Sequence, residues 1–339
     1  MSGKVSAHDV AAMAGVSQSA VSRVFTPGAS VSEAMRSKVM AAADALGYRP
    51  NARARSLITG RSRMIGLVVA YLDNPFYPET LQLMSRALQA EGYHLLVFMA
   101  GNQEDLVDDV LEEILAYQVD GIILASVGLS NDLTARCDAA GIPVTLFNRS
   151  QSTGRVTSVT SNNRTGGAKV AEFLVAGGHR RIAHIAGWSG ASTQQDRELG
   201  LREGLAAAGL ELHARGDGNF DPVQAAEATR RMFAEGPPPD AIFVTTDHMA
   251  FAVMDVLRFE LGMAVPLDVS VIGYDDVVQA AWPTYDLTTV RQPTNRMVAE
   301  TVRLLVARIE GDDTAARRVE IDGPLIVRGS ARKPRKTEP

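Results

Sequence analysis

Two hydrophobic patterns divide the chain near residue 63. Before this point, apolar residues recur at helical spacing in short segments, and Val39, Ala42, Ala43 and Leu46 fall on one helix face. After it, short apolar runs alternate with amphipathic segments of roughly 10 to 17 residues. The first pattern predicts a small all-α head, and the second predicts an α/β body of parallel sheets with helices on both faces.

Capping signals mark the helices of the head. Ser6, followed three residues later by Asp9, is a capping-box pattern, and Gly15 is predicted to end this first helix. Ser17 is predicted to cap a second helix that runs to about Phe25. Ser32 is predicted to cap a third helix that ends at Gly47. The head is therefore predicted to contain three short helices.

The body contains a series of predicted strands and helices. The apolar runs are "MIGLVVAYL", "HLLVFMA", "GIILAS", "PVTLFN", "RIAHIAG", "AIFVTTD" and "VSVIGYD". Predicted helices include residues 78–91, 164–176, 198–208, 249–261 and 294–310. The roughly 270 residues of this region are enough for two sheets.

The composition favours a globular protein in a reducing compartment. The chain has 339 residues, 46% of them hydrophobic, and one cysteine. Cys137 cannot form an intrachain disulfide and is expected to be a small packing residue. The N-terminal segment lacks the apolar core of a signal peptide, and no run of about 18 apolar residues follows, so we expect a cytoplasmic protein without a membrane span.

The net charge of −5 conceals an uneven distribution. Residues 1–63 carry nine Lys or Arg and three Asp or Glu, whereas the remainder carries 25 and 36. A basic head on an acidic body suggests that the head meets a polyanion. A chance imbalance would give the same count, so charge alone does not decide.

The stretch "GVSQSAVSRVF" predicts a helix with two unlike faces. Val16, Ala20, Val21 and Val24 form the apolar face, and the opposite face carries Gln18, Ser19, Ser22 and Arg23. A short turn separates this helix from the preceding one, which is the helix-turn-helix arrangement. Gln18 could pair with adenine, Arg23 with guanine, and Ser17 could hold a phosphate. An ordinary solvated face is the alternative.

At this point the sequence resembles the LacI/GalR family of bacterial transcriptional regulators. The head carries "DVAAMAGVSQSAVSRVF" and "VSEAMRSKVMAAADALGYRPNARARSL". The body carries "IGLVVAYLDNPFY", "GIPVTLFNR", "GHRRIAHIAG", "VIGYDD" and "LTTVRQP" in family order. The resemblance implies a dimeric repressor that binds a pseudo-palindromic operator under control of a small-molecule effector. It implies no cofactor.

The resemblance also implies a domain organisation. The helix-turn-helix head would comprise residues 1–48, and a hinge would comprise residues 49–62. The body, 63–330, would be periplasmic-binding-protein-like, with two Rossmann-like subdomains. The first would contain about 63–160 and 291–320, the second about 161–290 and 321–330, and a disordered tail, 331–339, would follow. No tetramer-forming tail is expected.

The hinge "RPNARARSLITGRSR" carries five arginines and no acidic residue. The resemblance implies a short helix that orders in the minor groove, where Leu57 would insert at a base step. Asn51, Arg53 and Arg55 would contact DNA beside it. The residues alone are equally compatible with a flexible basic linker, because so short a helix is unstable in water.

Ligands of α/β sheets bind beyond the carboxyl ends of the strands. Phe76 and Tyr77 follow the first predicted strand, and Asn148 and Arg149 follow the fourth. The resemblance adds Arg197 as the main ligand-binding arginine, Asp275 as a hydroxyl acceptor, and Phe220 and Thr246 as further contacts. Alternatively, Phe76 and Phe220 are core residues, Arg197 belongs to a structural ion pair, and Asp275 caps a strand end.

Two departures from the family pattern limit the effector assignment. Asn148 stands where many relatives have Asp, and Thr246 replaces the usual Asn. With Arg149 and Arg197 available, a sugar, sugar acid or related anionic metabolite is expected. Trp282 could close the pocket or pack elsewhere.

Other classes of protein are less consistent with the sequence. The motifs GxxxxGK[ST], GxSxG and GxGxxG do not occur, so no enzyme or metal site is indicated. A periplasmic-type sugar-binding protein would share the body. The basic head and the absence of a signal peptide argue against it.

Overall fold

The computed structural model describes residues 5–26, 29–49, 60–100, 110, 113–127, 136–151, 156–312 and 314–334. They belong to two compact units, Met1–Arg63 and Met64–Pro339. None of the described helices has the length and apolar character that a bilayer crossing requires.

The head contains α1 (Ala7–Ala14), α2 (Gln18–Val24) and α3 (Glu33–Leu46). They enclose a small core whose buried members are Val10, Ala11, Val21, Val24, Val39, Ala42 and Ala43. Because each helix contributes one apolar face, none of the three could bury its side chains alone.

The predicted caps of the head are confirmed. Ser6 and Asp9 form the reciprocal capping box of α1. The hydroxyls of Ser17 and Ser32 accept hydrogen bonds from backbone N–H groups in the first turns of α2 and α3. Gly15 and Gly47 follow α1 and α3 in the left-handed conformation, with φ of 65° and 64°, which glycine adopts without strain.

Two six-stranded sheets form the body. The first contains β1 (Met64–Val69), β2 (His94–Met99), β3 (Gly121–Ala125), β4 (Val144–Phe147), β5 (Thr157–Ser161) and β11 (Arg318–Ile321), in the order β11-β5-β4-β3-β1-β2. The second contains β6 (Ile182–Ala186), β7 (Ala214–Asp217), β8 (Ala241–Val244), β9 (Ser270–Asp275), β10 (Thr288–Arg291) and β12 (Leu325–Ile326), in the order β12-β10-β9-β8-β6-β7. Strand pairs are parallel except β10 with β12.

Helices cover these sheets. They are α4 (Phe76–Ala90), α5 (Asn163–Ala176), α6 (Ser192–Ala207), α7 (Pro222–Ala234), α8 (Asp247–Asp255) and α9 (Thr294–Ile309). A π-helical segment, Val256–Glu260, continues α8, and a 3-10 turn spans Val278–Ala281. The chain passes between the sheets after β5, after β10 and between β11 and β12. Each half therefore contains segments distant in sequence.

The predicted start of one body helix was wrong. The hydrophobic pattern predicts a helix over 198–208, but α6 already begins at Ser192. Its first turns bury polar side chains, including Thr193, Gln194 and Arg197, so they lack the apolar periodicity that identifies a helix. Arg197 consequently projects from a helix.

Candidate DNA-binding surface and effector cleft

Five predicted DNA-contacting residues lie together on the exposed side of α2 and its cap. Ser17, Gln18, Ser19, Ser22 and Arg23 are all exposed. Behind them, Val21 and Val24 are buried against the other two helices. Because their opposite face is fixed in the core, these side chains form an outward surface of one arginine and small polar groups. Such a surface fits a major groove, which is about 12 Å wide.

The predicted hinge contacts cannot be placed. Asn51, Arg53, Arg55 and Leu57 lie outside the described residues.

A polar cleft lies where the strands of both sheets end. Its lining comprises Tyr71, Asn74, Phe76, Tyr77, Asn148, Arg149, Thr193, Arg197, Phe220, Thr246 and Asp275. All eight residues that the sequence suggested for the effector site are among them. Asp275 is the last residue of β9, and the other seven follow β1, β4, β6, β7 or β8, so both sheets contribute their carboxyl ends.

Hydrogen bonds across the cleft join its two halves. Asn74 Nδ2, after β1, lies 3.4 Å from Asp275 Oδ2 on β9. Arg149 Nη1, after β4, donates to Thr193 Oγ1 on α6 at 2.5 Å. The cleft is closed to a volume of about 10 Å³, roughly the room of one water molecule. A larger ligand therefore requires the lining groups to move apart.

The Arg197 side chain is buried and is held by contacts with several neighbouring residues. It is only 2% exposed, and its guanidinium carbon lies 3.6 Å from the ring centroid of Tyr274. Its Nε donates to Asn163 Oδ1 at 2.8 Å, and its Nη1 donates to the carbonyl of Thr245 at 2.5 Å. The remaining nitrogen, Nη2, faces Asp275 at 3.8 Å. Arg197 thus joins a buried ion pair and still presents Nη2 toward the cleft.

Asp275 ends β9 in an unusual backbone conformation, with φ of 130°. Its Oδ1 accepts a hydrogen bond from Gln292 Nε2 at 2.7 Å. Burial raises the pKa of this carboxyl, while the Arg197 charge and the Gln292 hydrogen bond oppose the rise. The predicted ion-pair and ligand roles are compatible, because both use the same inward-facing carboxyl.

A second carboxyl lies beside the cleft. Asp247 is fully buried, and it accepts hydrogen bonds from Thr289 Oγ1 at 2.6 Å and Val277 N at 3.0 Å. Burial, and then the nearby Asp275 charge, raise the pKa of Asp247 to about 8. This group is therefore mainly protonated at neutral pH, and it adds little negative charge to the site.

The segment after β4 carries an amide and a cation. Asn148 adopts φ of 55°, which asparagine tolerates better than most residues, and its Nδ2 lies 3.4 Å from Tyr77 Oη. Its Oδ1 is buried and has no hydrogen-bond partner among the described residues. Arg149 is 6% exposed, and its guanidinium carbon lies 5.6 Å from the ring centroid of Phe220.

The aromatic residues belong to both the core and the cleft. Phe76 stacks on Phe147 with ring centroids 6.5 Å apart and meets Tyr77 edge-on at 5.2 Å. Phe220 packs over Gly187, where an added Cβ would lie 2.3 Å from the ring. Trp282, by contrast, is 51% exposed and is not part of the cleft lining.

Several site residues were missed from sequence. Tyr71, Asn74 and Thr193 line the cleft, and Asn163 and Tyr274 hold Arg197 from behind. Asn74 stands inside the quoted segment "DNPFY", and Tyr274 directly precedes Asp275, so both positions were visible as neighbours of predicted residues. Asn163 and Thr193 carried no comparable signal.

Two residues have structural roles. Cys137 is fully buried, as predicted for a packing residue. His184 Nδ1 lies 3.0 Å from the Phe243 carbonyl, and its Nε2 lies 3.0 Å from Gln194 Nε2. Burial lowers the pKa of His184 to about 4, so this imidazole is neutral and both nitrogens are satisfied.

A helix-turn-helix head and a two-sheet body with a polar cleft define an effector-controlled DNA-binding regulator. Comparison with known proteins agrees. The profile "Bacterial regulatory proteins, lacI family" matches residues 6–51, and the profile "Periplasmic binding protein-like domain" matches residues 171–331. The HTH-type transcriptional regulator CelR of Thermobifida fusca is 37% identical over 333 residues, covering 95% of this chain and 96% of CelR.

Further relatives include the ribose operon repressor of Escherichia coli K12, 31% identical over 95% of this chain and 98% of the repressor. Among solved structures, a CelR–cellobiose complex is 34% identical to this chain in sequence and has a TM-score of 0.73. The match covers 96% of this chain and 100% of the CelR chain. A Lac repressor dimer bound to operator and the anti-inducer ONPF has 27% identity and a TM-score of 0.87, covering 96% and 98% of the two chains.

The chain belongs to the LacI family of bacterial regulatory proteins. It is a DNA-binding transcriptional regulator and not an enzyme.

Proposed function

We propose that this protein represses transcription as a dimer. Its affinity for a pseudo-palindromic operator would depend on a small polyhydroxylated effector bound in the cleft. The proposal depends on one observation, that both sheets of the body contribute residues to the cleft. Residues after strands of both sheets meet there, and two hydrogen bonds cross it. A ligand held by both halves would fix the angle between them.

The head supplies operator recognition in this proposal. Gln18 and Arg23 would read base edges, while Ser17, Ser19 and Ser22 would approach the groove and the phosphates. The proposed division is a head of 1–48, a hinge of 49–62 and a body of 63–330. In the hinge, Asn51, Arg53 and Arg55 would contact DNA, and Leu57 would insert into the minor groove.

The cleft suits a hydroxyl-rich molecule. Asp275 and Arg197 Nη2 offer an acceptor and a donor side by side, 3.8 Å apart, as neighbouring hydroxyls require. Phe76 and Phe220 offer apolar faces for the carbon skeleton. The relatives support this class, because CelR has been solved with cellobiose and another relative is a ribose operon repressor.

Exposed apolar residues mark the proposed dimer face. Phe259, Leu261, Leu267, Val278 and Trp282 are between 39% and 77% exposed. Their segments adjoin one another, because Arg258 donates a hydrogen bond to the Thr284 carbonyl and the Phe251 and Tyr285 rings are 4.3 Å apart. Val97 and Met99, on edge strand β2, form a second exposed apolar group. A second copy would cover both.

Operator binding by the full-length chain tests this function. Selection from random duplexes should yield a pseudo-palindrome, and affinity for it should fall steeply with salt. Gln18→Ala should weaken specific binding by about 1–3 kcal/mol, whereas Met40→Ala, on the exposed side of α3, should not. Leu57→Ala should weaken specific binding far more than non-specific binding. Failure to select any duplex would contradict the proposed function and favour the alternative, a sugar-binding protein without a DNA role.

We further propose that the protein works in the cytoplasm and associates with the nucleoid when it holds its operator. A chromosomal fluorescent fusion should follow the DNA, and Gln18→Ala should reduce that association.

A further inference from the structure

Two buried guanidinium groups line the cleft, but they differ in how their charges are balanced. Arg197 faces the Asp275 carboxylate at 3.8 Å and stacks on Tyr274. The polar contacts of Arg149 are both neutral: its Nη1 lies 2.5 Å from Thr193 Oγ1 and 3.5 Å from the Asn148 carbonyl. Among the described residues, no carboxylate pairs with Arg149.

The other ionisable groups around Arg149 do not supply a negative charge. Tyr71 and Tyr77 interact electrostatically with Arg149. Burial raises the pKa of both phenols, so they remain uncharged. The charged residues of the lining are therefore Arg149, Arg197 and Asp275. The lining carries excess positive charge whether Asp275 is ionised or protonated.

A buried cation without an anion is costly, because neutral hydrogen bonds replace only part of its hydration. Arg149 is 6% exposed, so bulk water offers it little compensation. Its stacking on Phe220, at 5.6 Å, provides attraction but no opposite charge. A ligand bearing one negative charge would remove this imbalance when it enters.

We propose that the effector is a sugar acid, and that Arg149 binds its carboxylate. This inference rests on the proposed function, in which the cleft is the effector site. A guanidinium presents two parallel N–H groups that match a carboxylate, which makes Arg149 the residue that selects the acid over its neutral parent sugar.

Polar atoms without partners indicate the rest of the ligand. Asn148 Oδ1 and Thr246 Oγ1 are buried, line the cleft and have no hydrogen-bond partner among the described residues. Both can accept a hydrogen bond from a hydroxyl, and Thr246 can also donate one. A carboxylate on Arg149 and hydroxyls on these two atoms together describe an aldonate or uronate.

A phosphate fits this arrangement less well than a carboxylate. A phosphate monoester carries about −1.5 to −2 charge at neutral pH. The cleft has one arginine without a carboxylate partner, because Arg197 is balanced by Asp275. With Asp275 ionised, a sugar phosphate would therefore bring more negative charge than the one unbalanced arginine can neutralise.

Calorimetric titration of the full-length protein tests the proposal. The probes are cellobiose with cellobionate, glucose with glucuronate and gluconate, galactose with galacturonate, and ribose with ribonate. Glucose 6-phosphate and ribose 5-phosphate are the phosphate arm. At least one acid should bind at least about tenfold more tightly than its neutral parent and than the phosphates.

Variants then assign the preference to Arg149. Arg149→Gln should bring the affinity for the acid down to that of the neutral sugar. Arg149→Lys should retain part of the preference, because it keeps the charge but not the two-pronged geometry. Arg303→Gln, which removes an exposed arginine paired with Glu300, is the matched control and should retain the full preference.

Four results would overturn the proposal: no acid binds, a neutral parent binds as tightly as its acid, a phosphate binds best, or Arg149→Gln retains the preference. If a neutral parent binds as tightly as its acid and changes operator affinity, this inference fails but the proposed function stands. Failure to bind any operator would instead contradict the proposed function.

Discussion

Arg197 lies against the ring of Tyr274, with its guanidinium carbon 3.6 Å from the ring centroid. The two residues come from α6 and β9, and both are almost fully buried. The ring therefore fixes the arginine in the direction of the cleft. The hydroxyl of Tyr274 lies 2.9 Å from Ser161 Oγ and also interacts with Arg197.

Substitutions at Tyr274 should separate these two contacts. Tyr274→Leu removes the stacked ring and should weaken effector binding about tenfold or more, since a desolvated cation–π contact is worth up to about 2 kcal/mol. Tyr274→Phe keeps the ring and should bind within about threefold of wild type. Titration with the effector measures both. Equal losses in the two variants would show that the ring does not position Arg197.

The close packing of α5 on α6 depends on small residues beside Arg197. A Cβ added at Gly167 would lie 2.1 Å from the Arg197 carbonyl oxygen, which is backbone and cannot rotate away. Gly167→Ala should therefore force the helices apart, lower the Tm by several degrees and weaken effector binding. Gly236→Ala is the control, because an added Cβ there has no neighbour within 4 Å among the described residues. An unchanged melting curve for Gly167→Ala would refute this account.

Much of this organisation could be predicted from the sequence, because it depends on local chemistry. The serine caps of the head and the apolar runs of β1, β3 and β9 follow from side chains close together in the chain. The cleft residues Phe76, Asn148 and Asp275 were also predictable. Asn148 and Asp275 stand at strand ends, and Phe76 lies in the segment between β1 and the next strand.

The remainder depends on contacts between distant segments. β5 has the sequence "TSVTS" and is nevertheless buried throughout, because β4 and β11 flank it. Its polar composition gave no strand signal. The sequence also did not indicate that Arg197 has a carboxylate partner and Arg149 has none among the described residues. The partner, Asp275, is 78 residues beyond Arg197 in the chain.

Asp247 should make the body less stable as the pH rises. Its pKa is about 8 in the folded protein, against about 3.9 in an unfolded chain. Between these values, the folded state holds a proton that the unfolded chain has released. The stabilisation from this group is therefore complete below about pH 4 and is lost as the pH rises toward about 8.

Asp247→Asn mimics the protonated carboxyl and removes this dependence. We expect the Tm of the variant, relative to wild type, to increase between about pH 6.5 and pH 8. The buried His184, with a pKa lowered to about 4, does not interfere, because its contribution changes only below about pH 6.5. A Tm difference that stays constant over this range would contradict the raised pKa of Asp247.

The exposed apolar face provides a direct test of dimerisation. Val278 is 67% exposed on this face, and Val278→Glu would place a charge where a second copy is proposed to pack. Burying that unpaired charge is unfavourable, so the variant should sediment as a monomer at concentrations where wild type is a dimer, and should bind the full operator more weakly.

Val223→Glu is a closely matched control, because Val223 is 72% exposed on α7 and lies outside the proposed face. The same substitution at a similarly exposed valine should leave the dimer intact. If both variants remain dimeric, the face containing Val278 is not the interface, and the exposed β2 residues Val97 and Met99 would be the next to substitute. If both become monomeric, the effect is not specific to this face.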